Sequence, residues 1–180
     1  DHYVIGGHSL GGTIALCVAV TDPHVSGLVF MNPGIITTGV PDITKYLFFP
    51  IPRVMAKTFG TKGFRENFLR RSFVNQGIVT PQVIDDMMLA PRSEGYLTGM
   101  TSMMGQYEAG REVAMLAEVK VPTLIAWGEK DRSKSMAELA ELKSRLPGAM
   151  VITAPGSGHY VQEEAPDAWL LNFTNPAGII

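Results

Sequence analysis

One cysteine in 180 residues, and four histidines of which none lies at metal-ligand spacing from it, exclude a disulfide framework and a zinc module. An excess of one charge is missing too: 15 basic against 17 acidic residues leave a net charge of −2, so no basic field points to nucleic acid as a partner. No uninterrupted apolar run is long enough for a transmembrane segment. The nearest to one, residues 3–21, carries no charge apart from neutral His8, but Gly6, Gly7, His8, Ser9, Gly11 and Gly12 break it in the middle. The start of the chain lacks a charged leader with a cleavage pattern and an initiator Met, so the chain reads as though cut from something longer. Repeats and low-complexity runs are also missing. What remains, 46% apolar and 18% charged residues, is the composition of a globular domain, and a soluble, cytoplasmic protein is expected. Cys17, inside an apolar stretch, reads as a small buried hydrophobe.

The order of the segments predicts an α/β fold. Residues 3–6 are a short apolar strand, and residues 10–20, rich in Ala and Leu, a buried helix ended by Asp22-Pro23. Residues 25–31 are a continuous apolar strand of the kind found where both sheet faces are covered, stopped by Asn32-Pro33-Gly34. Strand alternation then ceases. Residues 36–116 read as an inserted helical subdomain punctuated by Pro41, Pro50, Pro52, Gly60, Gly63, Gly77, Pro91 and Gly95, with Thr80-Pro81 as a good helix start. The first texture returns with a strand at 121–127, a helix at 135–146, a strand at 149–154 and a closing helix at 163–173. The expectation is a mostly parallel sheet with flanking helices, built from residues 1–35 and 117–180.

Gly7-His8-Ser9-Leu10-Gly11 is a G-x-S-x-G pentapeptide placed where an apolar strand turns into a helix. Such a turn strains the serine backbone, and small residues two positions to either side let it close; the helix N-terminus behind Ser9 offers free N–H groups to an oxyanion, Leu10 N–H first among them. A serine hydroxyl needs a base, and the base an orienting acid. Asp131, in Gly128-Glu129-Lys130-Asp131, and His159, in Gly156-Ser157-Gly158-His159-Tyr160, each follow the carboxyl end of a predicted parallel strand, the edge where open α/β sheets gather their sites. Glu129 is the rival acid, with less reach because it lies closer to the strand end. His8 is expected to pack or hydrogen-bond locally, and His2 and His24 to lie on the surface.

At these residues GGHSLGG, WGEKD and GSGHYVQEEAP resemble the nucleophile, acid and histidine motifs of the α/β-hydrolase family. The resemblance implies a Ser9–His159–Asp131 triad in the order Ser, Asp, His, a helical cap over residues 36–116, and no metal or organic cofactor. It also implies that the chain is the second half of such a fold: four more strands and two helices, roughly 90 residues, would precede it and supply the second oxyanion donor. The first strand would then be an unpaired edge, and aggregation or a homodimer is expected of the chain alone. Asn32 stands where some members keep an alternative acid, a role an amide cannot fill.

Seven of the ten methionines (Met55, Met87, Met88, Met100, Met103, Met104, Met115) and six aromatics (Tyr46, Phe48, Phe49, Phe59, Phe64, Phe68) fall in the inserted segment, enough to line an adaptable apolar pocket. Seven bases between Lys45 and Arg71 face only Glu66; they are either a solvated face or a place for an anionic substrate group. The substrate expected is a small-molecule apolar carboxylic ester. Carbon–carbon hydrolysis of a diketone acid, compatible with Arg132 and the basic segment, is the second enzyme reading, and a ligand-binding receptor on the same fold is the reading from another class.

Overall fold

The computed structural model describes residues 1–37, 42–107 and 110–173, with backbone alone at Asp42, Lys45 and residues 171–173; the expectations attached to Pro41 and to the Lys45 side chain lie outside them. The chain divides into two units, Asp1–Gly39 with Gly110–Ile180, and Val40–Ala109.

Numbered along the whole chain, the first unit holds β1 (Tyr3–His8), α1 (Leu10–Thr21), β2 (Val25–Met31), α7 (Arg111–Met115), β3 (Thr123–Gly128), α8 (Met136–Arg145), β4 (Met150–Ala154), α9 (Val161–Glu164) and α10 (Pro166–Phe173). The four strands pair in parallel in the order β1-β2-β3-β4, with Gly7 opposite Phe30, Phe30 opposite Ile125 and Ala126 opposite Ile152. Continuous apolar sequence becomes a strand covered on both faces: all six residues of β3 are buried. Alternate residues then divide between the faces. Leu28, Phe30, Ile125 and Trp127 meet Ala15 and Leu16 of α1 and Leu139 and Leu142 of α8, each large side chain contributing about 1.5–3 kcal/mol by its burial. Ala126 and Ala154 belong to a separate cluster with Val161, against which Trp169 packs.

Differences from the sequence reading have local causes. Pro122 has no N–H, and β3 begins at Thr123, two residues later than expected. The predicted helix over 163–173 is two helices, because Pro166 disfavours helical backbone at Ala165, which sits at φ −143° and ψ 55°. Leu116 lies in the core with Met115 packed against that cluster, so the chain rejoins the first unit at Gly110, earlier than the change of texture suggests. Cys17 is a free, half-buried thiol.

The regular elements among the second unit's described residues are all helical, the α-helices being α2 (Ile51–Phe59), α3 (Lys62–Ser72), α4 (Pro81–Met87), α5 (Leu89–Arg92) and α6 (Tyr96–Gln106). The Thr80 hydroxyl accepts from Val83 N–H, the cap expected of Thr80-Pro81. Arg65 fastens the unit from within, donating to the carbonyls of Phe59 and Met87 and to the Tyr96 hydroxyl, each at 3.1 Å. Lys62 pairs with Asp85 and Arg70 with Glu66, so with Arg65 three of these bases have structural partners. Phe48 and Phe49, by contrast, are 75% and 79% exposed. No helix among the described residues is long and apolar enough to cross a membrane.

Candidate active site

Every residue singled out as catalytic lies in the first unit, at or just beyond the carboxyl ends of its strands. Ser9 is the single residue between β1 and α1. It sits at φ 52° and ψ −122°, a conformation that costs of order 1–3 kcal/mol for a residue with a Cβ and persists only when its surroundings enforce it. Those surroundings are backbone: Ser9 N–H donates to Met31 O at 3.1 Å, and Ser9 O accepts from Gly12 N at 2.9 Å and Gly34 N at 2.8 Å. Although Ser9 is the N-cap of α1, its hydroxyl makes no capping bond and is left for other work. Leu10 opens the helix, so its N–H has no carbonyl a turn earlier to bond and stays free for an anion.

Glycines close this turn, though not both of those expected. A Cβ on Gly7 would lie 2.0 Å from Gly11 O, so β1 and α1 approach at a distance no other residue allows. A Cβ on Gly11 would meet nothing within 4 Å, whereas one on Gly12 would fall 2.6 Å from Pro33 Cβ. The helix-side requirement therefore belongs to Gly12. Gly12→Ala is expected to destabilise the protein by about 1–3 kcal/mol through overpacking against a rigid ring, and Gly11→Ala to stabilise it by up to about 1 kcal/mol through helix propensity. Urea unfolding of the two variants checks this; equal effects would show that the elbow is not packed as described.

Asp131 and His159 come together across 28 residues. His159 Nδ1 lies 2.6 Å from Asp131 Oδ2, with 5% of the imidazole and none of the carboxylate side chain exposed. Burial pushes the Asp131 carboxyl up, but the hydrogen bond and charge of His159 and two bonds from Ser133 outweigh it and hold the group below the usual carboxylate range. Ser133 N–H and Oγ–H and Lys134 N–H all donate to Oδ1. With its Nδ1–H directed at the carboxylate, the ring presents Nε2 as an acceptor.

The loop carrying His159 is seated against the ends of two strands, β3 and β1. A Cβ on Gly128, the last residue of β3, would lie 2.0 Å from Gly158 O. His8 Nε2 donates to His159 O at 2.9 Å, its ring centroid 4.6 Å from those of His159 and Tyr160, which brings the residue before Ser9 into contact with the loop. The predicted local bond of His8 is thus a long-range one. Among the described residues no hydrogen bond joins the Ser9 hydroxyl to the imidazole. Glu129 is exposed and engages the structure through its backbone, its N–H donating to Ala154 O. His2 and His24 are at the surface, His24 beside Asp22.

Two buried polar contacts near the site were not expected. Asn32 is completely buried, its side chain joining Asp131 to Gly128. Lys134, 6% exposed, donates to the carbonyl and hydroxyl of Thr37, and desolvation lowers the pKa of its ammonium. Asn32-Pro33-Gly34 signals only a strand stop in the sequence, and nothing in SKS distinguishes a buried lysine from a solvated one.

The family model described as the alpha/beta hydrolase family matches residues 1–171. An uncharacterized hydrolase of Bacillus subtilis is 27% identical over 167 residues, covering 91% of this chain and 61% of its own length. The 2-hydroxy-6-oxo-6-phenylhexa-2,4-dienoate hydrolase of Burkholderia cepacia is 24% identical over 173 residues, covering 91% and 58%. Among solved structures, the enol-lactonase of Burkholderia xenovorans LB400 superposes with a TM-score of 0.70 at 22% identity, over 93% of this chain and 62% of that one. The chain thus spans about three-fifths of the length of these curated relatives.

Proposed function

The chain belongs to the alpha/beta hydrolase family, and we propose that it acts as a serine hydrolase on a carboxylic ester with an apolar acyl or alcohol part. The observation that carries the reading is a serine held at φ 52° with its hydroxyl uncommitted, in the same unit as an imidazole bound through Nδ1 to a buried carboxylate. Ser9 Oγ attacks the ester carbonyl while His159 Nε2 takes its proton; Asp131 keeps the ring in the tautomer that makes this possible. Leu10 N–H donates to the oxyanion. The alcohol leaves with the proton from His159, and water, deprotonated in turn by the same ring, releases the acid from the acyl-enzyme. No metal or organic cofactor enters this sequence.

Support for an ester comes from the enol-lactonase, since a lactone is a cyclic ester, and support for an apolar part from the Met and Phe content of the sequence. In the intact protein a fluorophosphonate should label Ser9; labelling confined to another residue would overturn the assignment. Over short p-nitrophenyl esters kcat/KM should rise with acyl length, each buried methylene contributing up to about 0.8 kcal/mol, and a flat or falling series would count against an apolar site.

The phenylhexadienoate hydrolase supports a second reading, carbon–carbon hydrolysis of a diketone acid by the same three residues, for which exposed Arg132 beside Asp131 could meet the carboxylate. Preference for a carboxylate-bearing diketone over every ester would select it. Binding of either class without turnover would instead indicate a receptor.

A further inference from the structure

We propose that Asn32 is a positioning residue for the acid: its side-chain amide sets where Asp131 directs its charge and so fixes the imidazole that Asp131 holds. The inference rests on the reading of Ser9, His159 and Asp131 given above.

Asn32 follows β2 at φ 41°, a left-handed conformation that Asn tolerates better than most residues, and it is 0% exposed. Its backbone N–H donates to Ala126 O at 3.1 Å, so its position relative to β3 is set by a continuation of the sheet ladder. The orientation of its amide is set as well. Gly128 N–H, which can only donate, lies 2.9 Å from Oδ1, and that places the carbonyl end there and leaves Nδ2 to face Asp131 Oδ2 at 2.7 Å. A buried polar side chain with both ends satisfied in this way has one arrangement available to it.

The oxygen it reaches is the one that accepts from His159 Nδ1. Asp131 therefore receives three donors on Oδ1, from Ser133 N–H, Ser133 Oγ–H and Lys134 N–H, and two on Oδ2, from Asn32 and His159. The Oδ1 donors all come from the acid's own loop. The two on Oδ2 come from other strand ends, His159 from beyond β4 and Asn32 from directly after β2, and Asn32 ties the carboxylate plane to the sheet on which Ser9 is mounted. Ser133 Oγ lies 3.2 Å from His159 Nδ1, farther than the 2.6 Å to Asp131, so a carboxylate free to turn would have a competitor for the ring proton.

Asn32→Gly and Asn32→Asp both keep a residue that accepts positive φ, and both are tested in the intact protein. Asn32→Gly is expected to lower kcat about tenfold or more with KM little changed. It should also move the acid limb of the pH–rate profile to higher pH, because an oxygen relieved of the amide donor presents more charge to the ring. Asn32→Asp places two carboxylates about 2.7 Å apart, so one keeps its proton until well above the usual carboxylate range, and that proton supplies an O–H donor where the N–H stood. Its activity should approach that of the wild type at the acid end and fall as pH rises, a descending limb the wild type lacks. Wild-type kcat and an unmoved pH profile in Asn32→Gly overturn the proposal. The low-field Nδ1–H resonance of His159, which needs no turnover, should shift in Asn32→Gly; an unshifted resonance also overturns it. Should neither variant fold, the wild-type Asn32 Nδ2–H resonances decide: downfield and protected from exchange supports the contact, ordinary and freely exchanging refutes it. Fluorophosphonate labelling of wild-type Ser9 separates the two levels, since absence of labelling sinks the hydrolase reading while the resonances still judge Asn32.

Discussion

Ser9→Ala, His159→Ala and Asp131→Asn should each lower ester turnover by about four to six orders of magnitude in the intact protein, and Glu129→Gln should leave it within a few-fold of the wild type. The first two remove the nucleophile and its base. Because those groups act as a unit, the double variant Ser9→Ala/His159→Ala should be no worse than either single one. Asp131→Asn is the more instructive test, since it preserves size and most of the hydrogen bonds. Three donors converge on Oδ1, so the carbonyl of the new amide must stay there and its NH2 must fall at the Oδ2 position. At that position it faces Asn32 Nδ2 at 2.7 Å and His159 Nδ1 at 2.6 Å. A donor now meets Nδ1, the ring gives up the Nδ1–H tautomer, and Nε2 carries the proton it should be accepting. Glu129, exposed, cannot replace it. Steady-state kinetics on a p-nitrophenyl ester check the series; an Asp131→Asn variant as fast as the wild type would show that the buried pair serves structure and not catalysis.

What the sequence made legible is what depends on near neighbours. Residues 25–31 are a run of apolar residues with a proline–glycine stop after it, and they form β2 over those same residues. The elbow is legible because strand, G-x-S-x-G and helix are contiguous. Asp131 and His159 meet because each follows its own strand, and a parallel sheet brings strand ends to one edge whatever lies between them. The contacts that hold the site in register are of another kind. Asn32 reaches Gly128 across 96 residues, and His8 reaches His159 across 151. No periodicity encodes which side chain a loop will meet, and a turn asparagine and a packing histidine look the same whether or not they do. Gly11 and Gly12 illustrate the limit at short range: the motif marks Gly11, while the approach of Pro33, set by how β2 exits the sheet, makes Gly12 the one that cannot change.

The same His8 contact should make the protein sensitive to acid well above the range in which its carboxylates titrate. Burial, followed by the nearby charge of His159, lowers the His8 pKa from 6.5 to about 4, against a smaller upward pull from its bond to the His159 carbonyl and from Asp131. Above pH 6.5 the ring is neutral folded and unfolded, and its bonds contribute fully. As pH falls from 6.5 toward 4 the unfolded chain takes up a proton that the folded one refuses, so stability falls through that window, by up to about 3 kcal/mol for the depression in pKa. Asp131 and Asp22, whose pKa values are lowered from 3.8, lose their contributions mainly at lower pH, and Glu163, raised from 4.5 by burial, gains stability on protonation. The loss between pH 6.5 and 5 therefore belongs largely to His8, whose charged form would stand against the imidazole of His159 with ring centroids 4.6 Å apart. His8→Gln keeps an N–H donor for the His159 carbonyl without the titration, so its unfolding free energy should stay nearly level across that range while the wild type declines. Urea unfolding at pH 7.5, 6, 5 and 4.5 measures both. Parallel declines would show that His8 does not couple the nucleophile turn to the histidine loop through a neutral ring.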